Sequence, residues 1–398
     1  MNELAAIGLI LLLALLAGHL VKFARIPEVT GYILAGVAVG PSGYGWISHH
    51  NLQALEVFSQ VALGLILFSI GSVFEWQRVR SFGASVGTVT LIESAMAGTL
   101  VFAGMLLIGQ PWPVSLLLGA IAIETAAAST LMVMRECNSS GPLSETLTGL
   151  IAINNIVCLI AFSVAASLVE LSLRTPATFL EALSVAVWPL LWQMIGSLCL
   201  GYLIGLLLAA WASQVHEHGE ILILLTGCVL LAVGVSNALG LSPLISSLAV
   251  GATMVNLSAR SKALFAALSR TDPPLYAIFF VIAGADLNLA LLPTLGVSGV
   301  IYAIGRATGK LVGARIGGRW MGFDPVVQKL LGPSMLSQAG LAIGLVLVTS
   351  DRFPSLAGTV ATVVLAAVAI FELVGPVAAR WSLSRAGEVR PSVGEPAL

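Results

Sequence analysis

The sequence predicts an all-α polytopic membrane protein, and three observations carry that prediction. Hydrophobic side chains make up 58% of the 398 residues, charged ones only 9%, and the mean hydropathy is +1.01. Soluble domains carry roughly 25% charge, so a chain this apolar cannot cover a water-facing surface. Apolar stretches of spanning length recur along the whole chain, separated by charged or Gly/Pro-marked turns, and a bilayer core asks for about 20 apolar residues per helix. The net charge of −1, with its positive residues scattered in short loops, excludes nucleic acid as a partner and leaves the lipid bilayer as the surroundings.

The stretches run over 4–21, 29–47, 53–74, 84–108, 112–135, 142–170, 184–211, 219–236, 239–257, 273–286, 293–315, 326–349 and 355–380, about thirteen helices. The chain opens directly into the first of them without a positive leader segment, so that stretch is read as a retained helix. With the N-terminus outside, fourteen Lys and Arg residues fall on the inner side and two, Arg174 and Arg352, on the outer. That asymmetry predicts a cytoplasmic C-terminus in the cell's inner (plasma) membrane. Residues 381–398 read as a short cytoplasmic tail, with no soluble regulatory domain. Cys137, Cys158, Cys199 and Cys228 show no paired or His-linked spacing, so no disulfide, metal or cofactor is expected.

An internal repeat is visible. Leu117-Leu118-Gly119 followed by Glu124-Thr125-Ala126-Ala127 has the layout of Leu330-Leu331-Gly332 followed by Ser337-Gln338-Ala339-Gly340, at a constant offset of 213. The copies lie on the fifth and twelfth helices and enter the membrane from opposite sides, which predicts inverted repeats with two crossing broken helices. The non-helical segments are expected at Thr125 to Ala128 and Gln338 to Gly340.

Ionisable residues inside a membrane are costly and mark function. Arg306 and Lys310 are four apart on the eleventh helix and share a face; the competing reading of Lys310 is a side chain reaching to the inner surface. Glu124 precedes the small-polar run Thr125-Ala126-Ala127-Ala128-Ser129-Thr130, where a carboxylate can meet a cation. Glu372 reads as structural, capping carbonyls loosened by Gly375 and Pro376. Glu93, beside Ser94 and Gly98, lies on a protein-facing side and carries no further assignment. Asn154 and Asn155 stand about 18 Å into the sixth helix, near the midplane. They are either ion ligands or helix-packing amides.

Taken together these segments resemble the monovalent cation:proton antiporter family 2, which includes sodium/proton exchangers and Kef-type potassium/proton systems. Residues Ile26 to Gly43, IPEVTGYILAGVAVGPSG, are similar to the second-helix signature, and Val61 to Gly71 to the helix after it. Gly309-Lys310-Leu311-Val312-Gly313-Ala314 is similar to the lysine helix, and Ser337 to Ala342 to the second broken helix. The resemblance implies the sodium/proton-antiporter fold working as an elevator. In that fold a core ion-binding bundle, including 84–170 and 293–380, moves against a dimerisation scaffold including 1–47 and 184–257, in a homodimer.

Carried over, the unwound-helix threonine falls on Thr125 and the ion-site lysine on Lys310, with Ser337 and Gln338 in the second break. The acidic pair falls on Asn154-Asn155, and neither amide takes up or releases a proton. Three readings follow. The chain exchanges a monovalent cation, sodium or potassium, for protons with the carboxylate relocated to Glu124; or a positive site of Lys310, Arg306 and two amides takes an anion or neutral solute; or the bundle is a transport-inactive regulatory or sensor subunit. In none is it an enzyme.

Overall fold

The computed structural model describes residues 3–24, 26–173, 179–215, 217–287 and 296–389. The described residues form fifteen α-helices and one short 3-10 turn, with no strand among them. In order the helices are α1 (Glu3–Phe23), α2 (Glu28–Val39), α3 (His49–Gly71), α4 (Trp76–Leu107), α5 (Trp112–Ile121), α6 (Ala127–Glu136), α7 (Pro142–Leu173) and α8 (Phe179–Ala212). They continue with α9 (His218–Ala238), α10 (Pro243–Leu257), α11 (Ser261–Asp286), α12 (Gly296–Trp320), α13 (Pro325–Ser334), α14 (Gly340–Arg352) and α15 (Pro354–Arg385). Six apolar segments of these helices are long enough to cross a bilayer unaided, among them Pro142–Leu173 and Pro354–Arg385. The fifth and twelfth predicted stretches each become two half-helices, α5 with α6 and α13 with α14.

Several boundaries differ from expectation: α4 starts at Trp76 rather than 84, α12 runs on to Trp320 rather than 315, and three others bear on the fold. α2 stops at Val39 rather than 47, because Pro41 has no N–H with which to continue the helix. The chain folds back instead, with the Tyr44 and Ile47 amides donating to the Ala38 and Val39 carbonyls at 2.7 and 2.9 Å. α11 starts at Ser261, twelve residues before the predicted start at 273, and runs through Pro273 and Pro274; the two missing donors bend the rule that proline ends a helix without ending this one. At the other end, α15 continues to Arg385, five residues past the predicted end at 380. Glu388 is buried beyond it, and its carboxylate accepts the Leu143 and Ser144 amides, both at 2.7 Å, at the start of α7. Residues 390–398 of the expected tail, and Arg174, lie outside the described residues.

Helices α1–α3 pack mainly against α8–α11, while α4–α7 pack on one another and on α12–α15. The most extensive contact is between α4 and α12. Gly305, Gly309, Gly313 and Gly317 recur every four residues on α12 and meet Val101, Ala97, Glu93 and Val89 on an antiparallel α4. A Cβ on Gly309 would lie 2.4 Å from the Ala97 Cα, and one on Gly313 2.7 Å from the Glu93 Cα, so the backbones touch and no side chain fits between. This ladder fixes the register that brings Lys310 and Glu93 together.

Gly309→Val is expected to force the two helices apart and lower stability by about 1–3 kcal/mol. Thermal unfolding of the purified protein in detergent measures it. Gly87→Val on α4, where a Cβ meets nothing within 4 Å, serves as the control that leaves the transition in place.

Candidate functional site

The two broken stretches cross at their breaks. The Ala126 amide donates to the Ser337 carbonyl at 3.0 Å, joining one gap to the other. The gaps span 122–126 and 335–339, starting three residues earlier than expected and ending two and one earlier. Ala127 and Ala128 are strong helix formers and already belong to α6, where the Thr130 hydroxyl donates back to the Ala126 carbonyl at 3.0 Å.

A helix that stops inside a bundle leaves its last carbonyls without donors. Here two cations from α12 supply them. The Lys310 ammonium donates to the Ile123 carbonyl at 2.8 Å and to the Thr125 hydroxyl at 2.7 Å. The Arg306 guanidinium donates to the Glu124 and Leu336 carbonyls, both at 2.7 Å, and to the Ser337 carbonyl at 3.0 Å, while stacking 4.4 Å over the Phe371 ring. Both side chains are fully buried, so Lys310 does not reach to the surface.

Lys310 has a carboxylate partner, and it is one to which the residue pattern alone gave no role. Glu93 on α4, itself fully buried, pairs with the ammonium at 2.6 Å. Glu93, and not Glu124 or the asparagine pair, is thus the side chain that matches the charge of Lys310. The glycine ladder on α12 is the sequence signal that identifies Glu93, since it selects the face of α4 that carries it.

The two asparagines divide. The Asn154 amide donates to Glu93 Oε2 at 3.1 Å and to the Ser94 hydroxyl at 3.2 Å, orienting the acid that holds Lys310. Asn155, one residue on, is half-buried, bonds only the Ile151 carbonyl at 3.3 Å, and lines a pocket of about 50 Å³ together with Glu124. Glu124 is 1% exposed and its Oε2 accepts the Ala339 amide at 3.3 Å, at the N-terminus of α14. Ser337 serves the crossover through its carbonyl. Gln338 is a brace, its amide donating to the Tyr302 hydroxyl at 2.8 Å and the Ile121 carbonyl at 3.2 Å.

The pocket at Glu124 shares Leu63, Phe279, Ala339 and Gly340 with a larger cavity of about 440 Å³ lined by the first half of α3, the end of α11 and the start of α14. Glu372 lines that cavity. It does not cap carbonyls near Gly375, as the sequence suggested. Gly375 instead makes room for a close contact. A Cβ there would lie 2.2 Å from the Ser337 hydroxyl, so α15 reaches the second break only through a glycine. At the opposite end of the bundle, α1, α2, α6 and α15 are tied by polar contacts. Lys22 pairs with Glu28, the Tyr32 hydroxyl donates to Glu28 at 2.8 Å, and Glu136 accepts the Glu28 amide at 2.7 Å and Arg380 at 3.0 Å.

Glu93→Gln leaves a buried ammonium without its counter-charge. A loss of about 3–5 kcal/mol is expected, read as a lower unfolding temperature. Adding Lys310→Met to that variant should recover part of the loss, because both charges are then gone.

The sequence profile described as "Sodium/hydrogen exchanger, transmembrane" matches residues 8–383. Among characterised relatives, the ammonium/H(+) antiporter subunit AmhT of Alkalihalophilus pseudofirmus is 24% identical over 346 residues, covering 86% of this chain and 85% of its own. The iron transporter MagA of Paramagnetospirillum magneticum is 29% identical over 153 residues, 37% of this chain and 34% of its own. The solved structure of the sodium proton antiporter MjNhaP1 from Methanocaldococcus jannaschii at pH 8 superposes with a TM-score of 0.71 at 17% identity over 99% of both chains. An electron-microscopy structure of the same antiporter gives 0.77 at 16% identity over 98% of this chain and 99% of that one. The chain belongs to the sodium/hydrogen exchanger family: it is a multi-pass membrane protein of the cation:proton antiporter class and not an enzyme.

Proposed function

We propose that the chain exchanges a monovalent cation for protons by alternating access, with Glu124 as the group that holds one or the other. The observation that carries this reading is the position of Glu124: a buried carboxylate at the crossing of two broken helices, at the head of a pocket, with no side-chain counter-ion bonded to it. Asn155 faces the same pocket and offers an amide oxygen to a cation that has shed water. Lys310 and Arg306 position the site rather than bind the ion, since they bond the crossover itself, with Thr125 accepting from Lys310 and Asn154 orienting Glu93; the Ser337 hydroxyl and the amide oxygens of Gln338 and Asn154 make no hydrogen bond and remain open to an ion.

The polar cluster of Glu28, Glu136 and Arg380 closes one end of the bundle while the cavities occupy the other, which suits one state of a two-state cycle. In this reading 84–170 and 293–380 form the moving bundle, and 1–47 and 184–257 form the scaffold of a homodimer. The N-terminus faces outside and the C-terminus the cytoplasm of the cell's inner membrane. Sodium, potassium and the ammonium named for the AmhT relative are the candidate cations. The anion reading loses its footing, because Lys310 is neutralised by Glu93 and Arg306 is taken up by carbonyls.

In proteoliposomes, proton flux should depend on at least one of these cations, and Glu124→Gln should cut it by about a hundredfold while leaving expression and dimer assembly intact. Normal exchange in that variant would make Glu124 a bystander.

A further inference from the structure

Glu372 lies thirteen residues before the end of α15, deep in the bundle and 2% exposed. Neither carboxylate oxygen makes a hydrogen bond of ordinary geometry, and the Ser129 hydroxyl on the facing α6, the one side-chain donor that bears on the acid, has no other partner. Burying a carboxylate without donors is costly, and proteins avoid it unless something else offsets the charge. The side chain lines the 440 Å³ cavity, which meets the pocket of Glu124 and Asn155 at Ala339 and Gly340, so the two acids view the start of α14 from two sides.

The charged groups facing Glu372 are Glu124 and Arg306, with Asp286 on another wall of the same cavity. Arg306 stacks on the neighbouring Phe371 and gives its bonded N–H groups to carbonyls, none to Glu372. Of the other charged residues on elements packed against α15, Lys310 pairs with Glu93, Glu28 and Glu136 are bonded to Lys22 and Arg380, Arg352 pairs with Glu170, and Arg135, Arg315, Arg319 and Lys329 are exposed. Around the crossover there are thus three fully buried carboxylates, Glu93, Glu124 and Glu372, against two fully buried cations, Lys310 and Arg306. One negative charge is in excess.

We propose that Glu372 is the second carboxylate of the transport site, and that it and Glu124 together take one monovalent cation, or one proton in its place. This deepens the antiport reading and rests on it. Lys310 is matched by Glu93, and Arg306 offsets one of the two remaining acids. A single added positive charge makes the interior neutral whether it arrives as a cation or as a proton. Each crossing then carries the same net charge: one cation is released for each proton bound, and the exchange is electroneutral.

The test uses the full-length protein in two assays. In the first, thermal unfolding of purified protein is followed in sodium, potassium or ammonium chloride against choline chloride. Wild type should be stabilised by at least one of the three; Glu372→Gln should lose that stabilisation, and Glu372→Asp, which keeps the charge but shortens its reach, should need about tenfold more cation. In the second, proton flux into proteoliposomes is measured with and without an imposed membrane potential. Wild-type flux should be unmoved by potential, and the residual flux of Glu372→Gln should respond to it. Stabilisation that survives in Glu372→Gln, its absence from wild type with all three cations, or a potential-sensitive wild type overturns the proposal. If Glu372→Gln does not fold, Glu372→Asp decides: an unchanged cation requirement overturns the proposal. Cation stabilisation lost in Glu372→Gln with no proton flux in wild type keeps the two-carboxylate site and refutes the antiport reading.

Discussion

The buried pair of Lys310 and Glu93 is the constraint around which the interior is arranged. An ammonium taken out of water must meet a carboxylate at close range and have its remaining donors filled. The 2.6 Å contact with Glu93 meets the first need, and the Ile123 carbonyl and Thr125 hydroxyl meet the second. Each partner dictates something further. Glu93 comes within reach only because a run of glycines lets α12 lie directly on α4, and the carbonyl is free to accept only because α5 has stopped. Asn154 completes the shell by donating to the carboxylate oxygen on its other side.

Arg306 does for the second break what Lys310 does for the first. Its guanidinium reaches carbonyls on both sides of the crossing, and a planar, permanently charged fork suits several acceptors at once better than an ammonium would. The carboxyl-terminal, partly negative ends of α5 and α13 are thereby neutralised by side chains of the protein itself. The other side of the crossing, where the half-helices α6 and α14 begin, carries Glu124 and Glu372. The division between a cation-braced side and an acid-bearing side follows from which ends of the half-helices face each way.

Much of this was legible in the residues. Composition and spacing gave the helices, the repeated Leu-Leu-Gly motif gave the two breaks, and the four-residue interval gave the shared face of Arg306 and Lys310. Glu93 was not legible as a partner, because the pairing depends on the register between two helices more than 200 residues apart. Only the glycine spacing on α12 encodes that register. Glu372 was misjudged for a different reason. Beside Gly375 and Pro376 a glutamate looks like a cap for loosened carbonyls, but the glycine is there to let α15 touch Ser337, and the acid one turn before it points into a cavity. The start of α11 was missed because Lys262 and Arg270 mark the residues before 273 as loop; the helix nonetheless runs from Ser261 through Pro273 and Pro274.

Glu388 adds a mechanical link. Its carboxylate takes the Leu143 and Ser144 amides and the Ser144 hydroxyl, at 2.7, 2.7 and 2.6 Å, and its carbonyl takes the Ser140 amide at 3.1 Å. The chain leaving α15 is thus splinted to the first turn of α7. Those two helices carry Glu372 and Asn155, which face neighbouring cavities from different walls. A displacement of either helix along its axis drags the other through the splint, so the spacing between acid and amide is held from a point remote from both, and whatever pulls on the residues after Arg385 pulls on the two walls together.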